Sequence, residues 1–239
     1  MKKSSPFRFK KFEVSHSRSS MKVGVDGVLI GCWVRASEAG TILDVGTGCG
    51  VVALICAQRF PEASIRGIDI DAESVDEANF NFNNSLFSGR LQAEIKDFLE
   101  MPETERFDLI ISNPPFFSSG VKSVETAREK ARHELSLPLS ALIAKARRLM
   151  TDMGVLALVL PVDRFKDLVE AIRLNGLCIS RQTTVKGHPD APAKRILVEI
   201  TAAKENEDRR EESELTMMQE GTTPTDEYRQ LTKDFYLNY

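Results

Sequence analysis

Between residues 41 and 161 the chain alternates short apolar runs with amphipathic segments, and no other feature restricts its fold as much. "TILDVG" (41–46) reads as a first strand and "GVVALICAQRF" as the helix that follows it. "SIRGIDI" (64–70) is a second strand, after which Asp71 is placed to cap "AESVDEANFNFNNS", a helix with acids in its first turn. "LQAEIKD" and "FDLIIS" (107–112) supply a third and a fourth strand. "PLSALIAKARRLM" has helical spacing, and "GVLALVLP" is a continuous apolar run of the kind that is covered on both faces. "DRFKDLVEAIRLNG" is a further helix, stopped by Asn175-Gly176. "LCISRQTTVKG", the turn "HPDAPA" and "KRILVEITA" then read as a closing β-hairpin. The expected fold is α/β: a seven-stranded, mostly parallel sheet with an antiparallel last strand and helices on both faces.

A chain of 239 residues holds one sizeable core, here expected over 41–203. Ahead of it lies a basic extension (1–40); behind it lie an acidic linker, "KENEDRREESEL", and a helical, aromatic terminus (204–239) expected to dock on the core. The net charge of −3 argues against coating nucleic acid by charge alone, though local basic patches remain. The cysteines at 32, 49, 56 and 178 form no CxxC pair and the histidines at 16, 133 and 188 stand apart, which argues against a metal site and a disulfide framework. No apolar run approaches a membrane span, so the expected setting is the cytoplasm, with a monomer as the default.

"DVGTGCG" places Asp44, Gly46, Gly48 and Gly50 between the first strand and its helix, where glycines permit a tight turn and close approach of a ligand to the backbone. The spacing is GxGxG, not the GxGxxG of a diphosphate loop. Asp69, followed by Ile70, ends the second strand about twenty residues on, where a carboxylate can accept both hydroxyls of a ribose. Asp97 ends the third strand; it can accept from an adenine amino group while the Phe98 ring packs on the adenine face. Three successive strands thus deliver their loops to one sheet edge, where ligands of open parallel sheets bind. The reading is an adenosine-type ligand without an essential diphosphate.

The fourth strand ends at that same edge in "SNPPFF". Here the sequence resembles S-adenosylmethionine-dependent methyltransferases of the amino-nitrogen type, which belong to the Rossmann-like class I fold and pair a GxGxG loop with an Asp/Asn-Pro-Pro-Tyr/Phe loop. The resemblance implies that the Asn113 side-chain oxygen and the Pro114 carbonyl each accept one N–H of a target amine. Pro115 stiffens the loop, and Phe116 offers a flat face to a planar target. A conjugated amino nitrogen is a poor nucleophile, and two fixed acceptors would let it pyramidalise and would stabilise its developing charge.

"FKKFEVSHSRSSMKVGVDGVLIGCW" (9–33) resembles the N-terminal stretch of the bacterial valine-tRNA adenine-37 N6-methyltransferase family, and the likeness continues to the final "LTKDFYLNY". It implies that residues 22–26, Lys22 and Asp26 among them, close over the methionine end of the cofactor, and that the partner is the anticodon loop of a valine tRNA. Val25 departs from the small hydroxyl residue expected in relatives. A release-factor glutamine methyltransferase should carry a separate helical domain before the glycine loop, and a ribosomal RNA guanine methyltransferase often reads NPPFH; residue 117 is Phe. A non-catalytic cofactor- or RNA-binding protein is the alternative of another class. For RNA contact the candidates are Lys10, Lys11, Arg18, Arg128, Arg132 and His133.

Overall fold

The computed structural model describes residues 5–19, 22–36, 38–114, 137–202 and 210–238. Two short strands come first, Phe7–Arg8 (β1) and Glu13–Val14 (β2), paired antiparallel as a small separate sheet. They are followed by Val25–Trp33 (α1), a helix with seven buried residues out of nine and hence no solvent face of its own. Thr41–Val45 (β3) has four consecutive buried residues, so it can only sit inside a sheet covered on both sides. The chain then alternates as the sequence pattern predicts: Val51–Arg59 (α2), Ser64–Asp69 (β4), Ala72–Asn83 (α3), Leu91–Ile95 (β5) and Phe107–Ser112 (β6). Asp71 caps α3, accepting from the Ser74 backbone N–H at 3.2 Å and from its hydroxyl at 2.6 Å. Beyond β6 come Leu139–Leu149 (α4), Met150–Pro161 (β7), Phe165–Leu174 (α5), Leu177–Lys186 (β8), Arg195–Ala202 (β9), Glu211–Thr216 (β10) and Asp226–Thr232 (α6).

The main sheet runs β10-β8-β9-β7-β6-β3-β4-β5, with β9 antiparallel to both its neighbours and every other pairing parallel. Alternate residues of β3 point to opposite cores. Ile42 joins the cluster built with α1, α2 and α3, while Leu43 and Val45 join the one built with α4 and α5. Helices therefore cover both faces, as expected. Asn175 and Gly176, the latter at φ +62°, end α5.

The strand count corrects the expectation of seven. The eighth strand, β10, takes in the end of the acidic segment "KENEDRREESEL", expected to be a solvated linker. Its charge run misled because the acids meet cations: Glu211 pairs with Arg35 at 2.8 Å, and Glu214 with Lys186 of β8 at 2.9 Å. The backbone then completes the free edge of β8 in register Glu211↔Arg181 to Thr216↔Lys186. The terminus packs through Phe235, which is buried, and Tyr236, whose ring stacks on Phe9 at 6.0 Å. Among the described residues no helix is long and apolar enough to cross a membrane.

Candidate active site

The parallel strands β3 to β6 end at one edge, and the register of Val45 against Ile68 and Ser112 brings three of their ends level. Ser112 fixes this further by donating its hydroxyl to the Val45 carbonyl at 2.7 Å. The turn after β3 hangs on β4: the backbone N–H groups of Gly46 and Thr47 both donate to the Ile68 carbonyl, at 2.9 and 3.0 Å. Gly46, Gly48 and Gly50 all have positive φ, at 72°, 54° and 83°. At Gly50 the need is double, since a Cβ there would lie 2.5 Å from the Phe82 ring of α3. Gly46 has nothing within 4 Å of that position, so its open side can receive a ligand.

Two carboxylates lie beneath this loop. Asp44 is 1 % exposed and accepts from the Thr47 hydroxyl at 2.7 Å. Burial pushes its carboxyl up to about 7, against the lowering effect of that hydrogen bond. Asp69 accepts from the Gly48 backbone N–H at 2.9 Å and from that of Asp71 at 3.0 Å, and burial raises it above the ordinary carboxylate range. Among the described residues neither acid is paired with a lysine or arginine. Asp44, buried, and Asp69, half-buried, thus have no cation of their own, and a cationic ligand beside them would favour their ionised forms.

Ile70 is 48 % exposed beside Asp69, an apolar surface with no core role. Asp97 follows β5, and one of its oxygens accepts from the Leu99 backbone N–H at 2.8 Å. Phe98 does not take the place expected of it. Its ring is buried in the second core cluster with Ile68 and Met101, because the short 3₁₀ turn Phe98–Glu100 rolls it inward. The side chain turned outward is Leu99, 40 % exposed, which the sequence reading missed.

Asn113 stands half-buried directly after β6, with Pro114 buried behind it. The start of α1 forms the neighbouring wall. A Cβ at Gly27 would lie 3.8 Å from the Asn113 amide nitrogen. Asp26 is engaged: its carboxylate takes the Arg195 guanidinium at 2.7 Å, and Arg195 opens β9 opposite Pro161 at this same edge. Lys22, ahead of the helix, and Val25, its first residue, are both exposed. Pro115, Phe116, Arg128, Arg132 and His133 lie outside the described residues.

Lys10 and Lys11 do not gather here. They line a cleft of about 960 Å³ with Cys32, Gln58 and Arg59, at the far ends of α1 and α2 from the glycine loop, and the Lys10 amine donates to the Lys233 carbonyl at 2.5 Å. The exposed Arg18 side chain does lie on the N-terminal stretch that reaches this loop.

Residues 27–173 match the methyltransferase small domain family. A Parabacteroides distasonis protein named tRNA1(Val) (adenine(37)-N6)-methyltransferase is 41 % identical over 233 residues, 97 % of each chain. A Vibrio campbellii protein of the same name is 38 % identical, covering 97 % of this chain and 95 % of that one. The chain belongs to the tRNA1(Val) (adenine(37)-N6)-methyltransferase family. In fold it is similar to the crystal structure of a predicted O-methyltransferase from Agrobacterium tumefaciens, at TM-score 0.68 and 21 % identity, covering 88 % of this chain and 96 % of that one.

Proposed function

We propose that this methyltransferase transfers a methyl group from S-adenosylmethionine to the exocyclic N6 of adenine in tRNA, at adenine 37 of a valine tRNA. The observation that carries the reading is the position of Asn113 and Pro114, at the strand edge they share with the glycine loop and Asp69. The crevice suits this cofactor because its two acids, Asp44 buried and Asp69 half-buried, have no cation of their own, and the sulfonium and ammonium groups of S-adenosylmethionine are cationic. When bound, the cofactor supplies an electrophilic methyl group. Asp69 keeps lone pairs free to accept ribose hydroxyls, Asp97 can accept from the adenine amine, and Ile70 and Leu99 offer apolar faces.

The residues of the chain do the rest by orientation. With the Asn113 amide nitrogen toward Gly27, its oxygen is the acceptor left to a substrate amine, beside the Pro114 carbonyl. Two such acceptors hold the amino hydrogens, turn the nitrogen lone pair out of conjugation and stabilise the charge that grows there. The alkylated amine is a strong acid and loses its proton to water, so no buried base is required. Phe116 would stack on the extruded base, recovering roughly 1–3 kcal/mol against the few that flipping costs. The proposal includes a cytoplasmic setting and a monomer, and sedimentation of the purified chain checks the latter.

Purified protein, labelled S-adenosylmethionine and unmodified pools of tRNA, ribosomal RNA and release factors test the assignment. Label should enter valine tRNA at adenine 37; label in release factor alone would overturn it. Asn113→Ala should cut transfer by roughly a hundredfold or more while S-adenosylhomocysteine still binds. Loss of both would make the asparagine a structural residue instead.

A further inference from the structure

Helix α3 buries three polar side chains along one stripe, Ser74, Glu77 and Asn81, and the chemistry above uses none of them. Glu77 is 2 % exposed, and no lysine or arginine is paired with it among the described residues. Its carboxylate is satisfied by backbone instead. One oxygen accepts from the N–H groups of Ser17 at 2.8 Å and Arg18 at 3.0 Å; the other accepts from Ser19 at 2.7 Å. Three successive peptide N–H groups wrapped around one anion fix the path of the chain as firmly as a turn of helix does.

One helical turn on, Asn81 adds a second fastening. It accepts from the Ser15 N–H at 2.9 Å and donates to the Ser15 carbonyl at 2.8 Å. The same amide donates to the carbonyl of Cys49 at 2.8 Å, inside the glycine loop. One asparagine thus ties residues 15–19 to the cofactor turn. At the end of this strap the Ser19 hydroxyl lies 3.5 Å from where a Cβ on Gly48 would stand, and 3.4 Å from the Ser74 hydroxyl. Gly48 is the residue whose N–H holds Asp69. From there the chain continues to Val23, whose N–H donates to His16 Nδ1 at 3.2 Å, and into α1 with its wall against Asn113.

We propose that Glu77 and Asn81 are positioning residues of the cofactor site: they hold the 15–19 strap against the glycine loop before any ligand arrives. The strap is then a preformed wall, and its ordering entropy is not charged to cofactor binding. Helix α3 thereby serves two ligand surfaces, with Phe82 backing Gly50 from below and Glu77 fastening the cover at the side.

This rests on the S-adenosylmethionine reading, and the test separates the two. Glu77→Gln keeps the shape and removes the charge that gathers three donors. The dissociation constant for S-adenosylhomocysteine should rise roughly tenfold, and the KM for S-adenosylmethionine should rise with it while kcat is retained. Amide exchange at residues 15–19 should accelerate, with the amides of α3 unchanged. Fast exchange of the strap with unaltered affinity would overturn the proposal, as would a lowered melting temperature with both the strap and the affinity intact. If Glu77→Gln does not fold, Ser17→Pro removes one donor from the strap side, leaves α3 whole, and is judged by the same readings. Failure of the wild-type chain to bind S-adenosylhomocysteine would instead sink the cofactor assignment itself.

Discussion

Glu199 and Asp44 are both buried carboxylates on central strands, and their surroundings are opposite. Glu199 of β9 faces Arg181 of β8 at 3.4 Å and accepts the Arg35 backbone N–H. Arg181 in turn donates to the Trp33 carbonyl at 2.7 Å and lies 3.6 Å over the Trp33 ring, whose indole N–H donates to Thr183 at 2.8 Å. Burial lowers the Arg181 guanidinium only to about 10, so it stays charged at neutral pH. Asp44 has a hydroxyl and a backbone group but no cation. The β8–β9 region completes its electrostatics within the chain and binds α1 to the sheet. The β3–β4 region leaves its charge to be matched by something else. Between these two acids burial is shared, and what differs is the presence of a cation.

Breaking the closed side should give the largest effect. Arg181→Met leaves Glu199 buried without its paired cation, and breaking a buried pair in this way costs about 3–5 kcal/mol. Urea unfolding should show the loss, while the folded fraction binds S-adenosylhomocysteine as the wild type does. Weakened binding with little loss of stability would mean that Arg181 belongs to the site and that the comparison is drawn wrongly.

On the open side the sign reverses. The folded chain holds a proton on Asp44 up to about pH 7, which the unfolded chain has released by then. Stability without ligand should therefore fall as pH rises from the ordinary carboxylate range toward 7, by at most about 1.4 kcal/mol per pH unit. Asp69, also raised, adds in the same direction. Asp44→Asn should flatten that slope and leave the chain no less stable at pH 8, yet weaken S-adenosylhomocysteine binding roughly tenfold. Thermal melts across pH with and without ligand test both halves; a slope unchanged by the substitution would remove Asp44 as its source.

The same contrast explains what the sequence could show. The succession of strands and helices, the glycine turn, and the positions of Asp69 and Asn113 at strand ends were legible because they follow from periodicity and from where strands end. Phe98 was misplaced because one residue of 3₁₀ turn exchanges the inward and outward positions, giving the exposed face to Leu99. Glu77 and Asn81 flank the apolar residues Val75, Ala78 and Phe82, so on a helical wheel they read as an ordinary polar border. Their partners lie in the strap and, for Asn81, also at Cys49 of the glycine loop, all remote in sequence. Strand β10 was hidden for a related reason: an acid run reads as solvated until its cations, Arg35 and Lys186, are known to be opposite it. Partners far apart in sequence leave no local trace.

The smallest effect is expected where the two regions meet. Arg195 begins β9 and reaches Asp26 in the first turn of α1, so this pair spans from the closed half of the sheet to the wall beside Asn113. Its geometry is good, at 2.7 Å, but the side chains are 39 % and 31 % exposed. Water screens such a pair, so a double-mutant cycle with Asp26→Asn and Arg195→Gln should give a coupling in stability of about 0.2–1 kcal/mol. That coupling should shrink further as salt is raised. A coupling of several kcal/mol that is indifferent to salt would place the pair with Arg181 and Glu199, as internal bracing. A small, salt-sensitive one leaves Asp26 free to exchange its partner, and so keeps the α1 wall on the open side of the divide.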